Sequence, residues 1–390
     1  MTDAGRATFD AIVIGLGAHG SGAVLALARR GLRVLGIETG ERGHELGSSG
    51  GRSRMIRRAY FEDPAYVPLL DAAWDAWREI GEAAGELMIE VTGGLYAGLV
   101  ASDVVRGSAE SAVAQGIDHE VLDAHEIGRR WPIFDLPADV AGLFDPAAGA
   151  IRPERAIGAM QRLAEQRGAI LRFGEPAGAW RRVDGALEVE TNVAVHRSEH
   201  LVIAAGAWTG AFVPDLALPL EVERVPVFWF EPNVRAFELS IGRMPMWLVD
   251  TGPSGVFYGF PYDPAAGLKI SRHHSEEVVD ADAVDRTEHA ADVERVRAFI
   301  EGYMPAADGP VRTSTVCLYT NTPDHHFIID AHPVVAGVAF ASACSGHGFK
   351  FAPVVGELLA DLALGRVPPL AIDRFRADRF SRQSSAGHPA

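Results

Sequence analysis

Residues 9–38 read F-D-A-I-V-I-G-L-G-A-H-G-S-G-A-V-L-A-L-A-R-R-G-L-R-V-L-G-I-E, an order that few folds accommodate. An apolar run, Ala11 to Ile14, meets Gly15-Leu16-Gly17-Ala18-His19-Gly20. A helix-forming stretch then runs to Arg30, Gly31 stops it, and a second apolar run ends in Glu38. This pattern predicts a βαβ unit. Gly15 permits the tight turn, Gly17 lets the backbone approach a pyrophosphate, and Gly20 lets helix and strand pack closely, while the helix N-terminus offers free N–H groups. Glu38 lies where an acid accepts the hydroxyls of an adenosine ribose and repels a 2′-phosphate, which favours FAD or NAD over NADP.

The 390 residues exceed the roughly 250–300 at which a single core stops growing, so two domains are expected. A net charge of −16 argues against nucleic acid or an anionic membrane as partner. No basic segment with an apolar core precedes the first strand, and no apolar run reaches the length of a membrane span, so a cytoplasmic protein is expected. The two cysteines, Cys317 and Cys344, are too few for a disulfide framework and lack zinc-like pairing; no metal site is expected, and any role for them is chemical.

Gly47 to Tyr60, G-S-S-G-G-R-S-R-M-I-R-R-A-Y, puts four arginines within seven positions of an acidic chain. Such a cluster is either a solvated turn or a local anion site, and arginine suits bidentate carboxylate contacts. An amphipathic helix is expected over 63–84, with Trp74 and Trp77 in the core, followed by short strands over 87–99. From Gly149 the cofactor-domain pattern resumes, with a helix over 154–167, a strand over 169–173 and an apolar strand over 201–208 ending beside a glycine. Aromatic strand-like runs over 225–230 and 256–261 are expected to pair with 87–99 in one mixed sheet. Lys269 and His273 share the stretch G-L-K-I-S-R-H.

The last segment carries C-L-Y-T-N-T-P-D from Cys317 and S-G-H-G-F-K-F from Ser345, the latter opening a helix through Leu364. A glycine-rich loop feeding a helix N-terminus is a second anion-stabilising device, able to face the pyrimidine edge of a flavin. With these motifs and Y-G-F-P at 258–261, the whole chain resembles the monomeric sarcosine oxidase and N-methyltryptophan oxidase family of FAD amine oxidases. The resemblance implies an α/β (α+β) fold in which a Rossmann-like FAD-binding domain, residues 1–85, 146–218 and 316–390, interleaves with a mixed-sheet substrate domain, residues 86–145 and 219–315, as in D-amino-acid-oxidase-like flavoproteins.

It also implies residue roles. Cys317 forms a thioether to the flavin; Arg57 and Lys350 bind the substrate carboxylate beside Tyr60; Arg54 lies near the flavin. Lys269 activates oxygen, with His273, Tyr258 and Tyr319 in the active site. Ser48, Gly346, Gly348 and Lys350 join Gly15, Gly17, Gly20 and Glu38 around FAD. Ser49-Gly50 stands where the family commonly carries histidine, Arg52 where it carries an acid, and Phe61 where it carries a small residue, so flavin potential and pocket size are expected to differ. The implied reaction is oxidation of a secondary amino acid, sarcosine or another N-methyl amino acid, to an imine that hydrolyses, with O2 giving H2O2, by a monomer. A cyclic imino acid such as pipecolate or proline, or a sugar-modified amino acid, presents the same groups. A dehydrogenase passing electrons to a carrier, and an NAD enzyme, are the competing classes.

Overall fold

The glycine loop folds as its spacing requires. Thr8–Ile14 is a strand, Ala18–Arg29 a helix and Val34–Ile37 a second strand parallel to the first, with Ala11 opposite Val34 and Ile14 opposite Ile37. Gly15 takes φ +89°, and a Cβ there would lie 2.5 Å from the carbonyl oxygen of Ala204, so neither the turn nor the contact admits a side chain. The computed structural model that shows this describes residues 8–380; the outer ends of the expected cofactor domain, 1–7 and 381–390, lie outside the described residues.

An eight-stranded sheet grows from this unit. Ile170–Arg172 adds beside Val34–Ile37, and Val195–Ile203 lies parallel to the first strand on its other side. The long strand divides its outer edge between two partners. Its first half pairs with the antiparallel hairpin Ala177–Val183 and Ala186–Thr191, its last three residues with Val338–Ser342, which in turn carries Ile328–Ala331. The strand expected over 201–208 therefore starts earlier and stops at Ile203; Gly206–Trp208 is a 3-10 turn, because the chain must bend where Ala204 meets Gly15.

Helix 18–29 packs against Pro153–Glu165 and Ala352–Ala363. At the second crossing Gly22 faces Gly356, where a Cβ would fall 2.2 Å from the Gly22 carbonyl carbon. The helix Val67–Ala84, preceded by a 3-10 turn capped by Asp63, covers the same side and buries Leu70, Trp77 and Ile80 completely; Trp74 is only partly buried. The expected final helix runs over Ala352–Ala363, after the 3-10 turn Phe349–Phe351.

A second eight-stranded sheet has the order Val311–Asn321, Glu221–Phe230, Leu268–Arg272, Val256–Gly259, Met246–Asp250, Gly94–Leu99, Val140–Asp145, Glu120–Asp123. Only the pairing of 246–250 with 94–99 is parallel, so the sheet is mixed, as expected. Residues 87–99 do not all enter it. Gly93, at φ +71°, turns the chain, and Ile89–Val91 joins Arg54–Ile56 and Gly149–Ile151 in a separate three-stranded sheet. The strand 311–321 runs through the boundary drawn at 315/316, pairing with 221–230 along its whole length and setting Cys317 opposite Val225. Helix Ala290–Tyr303 packs its buried Val296, Phe299 and Ile300 into the core of this sheet.

Candidate active site

A cavity of about 780 Å3 runs between the sheets, within the roughly 300–1,000 Å3 typical of ligand and cofactor sites. At one end lie Gly15–His19 and Glu38. Glu38 Oε2 accepts the Leu16 N–H at 2.8 Å, and Oε1 accepts that of Gly40 at 3.1 Å with His44 Nε2 at 3.3 Å. Burial pushes its carboxyl up, but the imidazole and the two amides outweigh it and hold the group below its ordinary value. Gly17 has Ser49 Oγ as its nearest neighbour, at 3.2 Å from an added Cβ; Gly20 packs on Gly15. His19 joins the first glycine loop to the last, its Nε2 3.3 Å from the Gly348 carbonyl, and burial drives its pKa down to about 4.

Ser48 Oγ, buried on the cavity wall, has no hydrogen-bond partner among the described residues. A buried hydroxyl left unpaired costs about 1–3 kcal/mol, which a ligand carrying polar groups recovers. The glycine loop, the acid at its end and this hydroxyl fit a dinucleotide.

Midway, three groups converge on Gly51. A Cβ at this glycine, itself at φ +93°, would lie 3.2 Å from Arg54 Nη1, 3.5 Å from Cys317 Sγ and 3.7 Å from Lys269 Nζ. Arg54 Nη2 is anchored on the carbonyls of Ser48 and Gly50 and reaches Cys317 Sγ at 3.8 Å. Cys317 is buried and lines the cavity; Cys344, also on the wall, has no such cation among the described residues. Lys269 Nζ donates to Gly51 O at 2.8 Å and Ser53 O at 3.1 Å under the rings of Phe260, Trp229 and Tyr258. It lines a second, small cavity of about 30 Å3 with Arg52, Arg152 and Asp263, room for one or two waters. Burial and Arg54 bring its pKa down to about 7.

The far end is a cationic recess. Arg57 is sandwiched between the rings of Tyr60 at 4.4 Å and Phe61 at 4.5 Å, donates to Ala59 O, and pairs with Glu62. Lys350 Nζ donates to His347 O at 2.6 Å and lies 5.1 Å from the Tyr60 ring; burial, then Arg57, lowers its pKa to about 7. Tyr60, expected to contact substrate, stands behind the wall: fully buried, it supports both cations and bonds His347 Nδ1 at 2.6 Å. Facing the recess are Tyr258, Tyr319 and His273, the last two 3.4 Å apart through Nδ1 and the hydroxyl. Gly346 packs against both, a Cβ there falling 2.7 Å from Tyr319 and 2.8 Å from His273.

Several contributors escaped the sequence reading. Glu62 and His347 line the recess, and Trp77 Nε1 holds the Lys350 carbonyl at 2.8 Å. A signal existed for Trp77, two tryptophans on one helix, but it reads equally as core.

Residues 10–362 match the DAO family, described as FAD dependent oxidoreductase. The chain belongs to this family. Among its relatives, a monomeric sarcosine oxidase of Streptomyces avermitilis is 38% identical over 92% of this chain and 94% of its own length. An N-methyl-L-tryptophan oxidase of Salmonella newport is 33% identical over 96% of this chain and the full length of that protein. In fold the chain is similar to NikD, an amino acid oxidase of nikkomycin biosynthesis, with a TM-score of 0.84, 23% identity and coverage of 95% and 97%. L-proline dehydrogenase from P. horikoshii gives 0.82, 23% identity, and 97% and 99%. These findings agree with the expected family and with an FAD-dependent oxidoreductase of mixed α/β architecture. The NAD alternative falls.

Proposed function

We propose that this protein oxidises a secondary amino acid, sarcosine or another N-methyl amino acid, to an imine that hydrolyses, with O2 reduced to H2O2. Bound FAD supplies the two-electron chemistry between amine and oxygen. The observation that supports this reading is the recess: Arg57 and Lys350, two cations suited to a carboxylate, stand at one end of a cavity whose other end is the glycine loop. The names of the relatives, oxidases of N-methyl amino acids, support the same class.

The residues divide the work by position. Arg57 and Lys350 take the substrate carboxylate, which leaves the amine toward His273, Tyr258 and Tyr319. Burial holds His273 neutral, so its ring adds no positive charge beside the amine. Phe61, Leu248 and Phe260 keep the recess apolar around the carbon to be oxidised. Gly15, Gly17, Gly20, Glu38 and Ser48 would hold the dinucleotide, with Gly346 and Gly348 flanking it, and Cys317, its Sγ 3.8 Å from Arg54 Nη2, would fix it covalently. Lys269, beside the second cavity, serves the oxygen side, where a fixed ammonium stabilises developing negative charge. The protein works as a monomer in the cytoplasm, in keeping with two free cysteines and a relative named monomeric. Peroxide released stoichiometrically from sarcosine or N-methyl amino acids supports this reading; turnover only with an added electron carrier opposes it.

A further inference from the structure

Glu223 lies outside the cavity, on the strand 221–230 and opposite Tyr319 in register. Its side chain is 4% exposed, and every ligand it gathers comes from a segment that carries a wall residue. Oε1 accepts the backbone N–H of Ser275, the Glu276 N–H at 2.8 Å and the Ser275 hydroxyl at 3.2 Å. Oε2 accepts Asn321 Nδ2 at 2.7 Å and His274 Nδ1 at 2.8 Å. The first set fixes the turn that follows His273; Asn321 ends the strand that carries Tyr319. His274 packs tilted on His273 with ring centroids 4.5 Å apart and edge-on against Tyr319 at 5.3 Å, touching both.

We propose that Glu223 is a positioning residue for amine oxidation: one buried carboxylate ties the turn bearing His273 to the strand end bearing Tyr319 and sets the contact between them. The turn after Leu268–Arg272 is held by an acid from the neighbouring strand 221–230, and the 3.4 Å contact of His273 with Tyr319 hangs on it from both sides. The role rests on the function proposed above. A reacting group misplaced by about 1 Å costs as much as ~100-fold in rate.

Glu223→Gln keeps an acceptor for the Ser275 and Glu276 amides while turning an NH2 toward Asn321 and His274. In the FAD-loaded protein, the limiting rate of flavin reduction by an N-methyl amino acid is expected to fall roughly tenfold, with substrate affinity and the rate of reoxidation by O2 within about twofold of wild type. Asn321→Ala, which releases the Tyr319 side alone, is expected to slow the same step less. In 15N-histidine-labelled protein the His273 ring resonances are expected to shift in Glu223→Gln, a readout independent of any amine. Unshifted His273 resonances overturn the proposal. So do an unchanged reduction rate in Glu223→Gln and Asn321→Ala, or parallel slowing of both half-reactions with loss of FAD, the pattern of a merely structural residue. A wild-type protein that no N-methyl amino acid reduces counts against the function instead, and the resonances still decide on Glu223.

Discussion

Arg57 and Glu62 form a buried ion pair, Nη2 to Oε1 at 2.5 Å, inside the recess proposed to receive the substrate carboxylate. Glu62 Oε2 has no hydrogen-bond partner among the described residues. Burial alone would raise the Glu62 carboxyl, but Arg57, His347 and Lys350 overcome it and keep the group ionised. An incoming carboxylate therefore competes with an acid already in place. Glu62→Gln is expected to tighten binding of an amine-free carboxylate by roughly tenfold, since hydrogen bonds to charged groups are worth about 1.5–3 kcal/mol. Titration followed in the flavin spectrum checks it, and weaker binding would show that Glu62 assists the anion.

Lys350 gives the recess a pH dependence. Its pKa of about 7 means that the ammonium is present below that pH and lost as pH rises through it. A bound carboxylate favours the charged form, so affinity for an amine-free carboxylate is flat below about pH 7 and falls by up to about tenfold per pH unit above it, until the pKa of the complex is reached. Lys350→Met removes this limb and binds weakly throughout. The check is the dissociation constant measured from pH 6 to 9.

Cys317→Ala is expected to leave FAD bound but extractable, because it removes the wall thiol that Arg54 reaches at 3.8 Å. Acid precipitation separates the cases: yellow pellet for wild type, yellow supernatant for the variant. Cofactor that stays with the variant pellet contradicts the linkage.

Lys269→Met is expected to slow reoxidation of reduced flavin by at least about 100-fold while changing its reduction by the amine far less, as loss of a buried electrostatic stabiliser does. Stopped-flow traces of the two half-reactions separate the effects. The position of Lys269 beside the second cavity, with Nζ on the carbonyls of Gly51 and Ser53, is the structural reason for the split.

What the sequence reveals of this site is what short-range spacing encodes. Gly15, Gly17, Gly20 and Glu38 act through a local turn, and the motifs around Cys317 and Gly346 to Lys350 are contiguous, so each is readable without knowing the fold. Arg57 with Glu62 is not, because the pair is closed by an irregular segment whose side-chain directions follow no period. Tyr60 lies three residues after Arg57 in sequence, yet packing buries its ring behind the cavity wall. Glu223 finds Asn321 across two paired strands, a relation only the register reveals. The hairpin 177–191 was missed because its first strand is largely solvent-facing and carries Arg181 and Arg182 where apolar alternation would have announced it. Helix 290–303 escaped likewise, its apolar positions being sparse among charges.

The most direct test is anaerobic mixing of the purified, FAD-loaded protein with sarcosine and with larger N-methyl amino acids, followed by admission of oxygen. The account predicts that the yellow absorbance bleaches without oxygen and returns with it, releasing one peroxide per amine consumed. Flavin that stays oxidised with every such amine, or that bleaches and then fails to recover in oxygen, would contradict it.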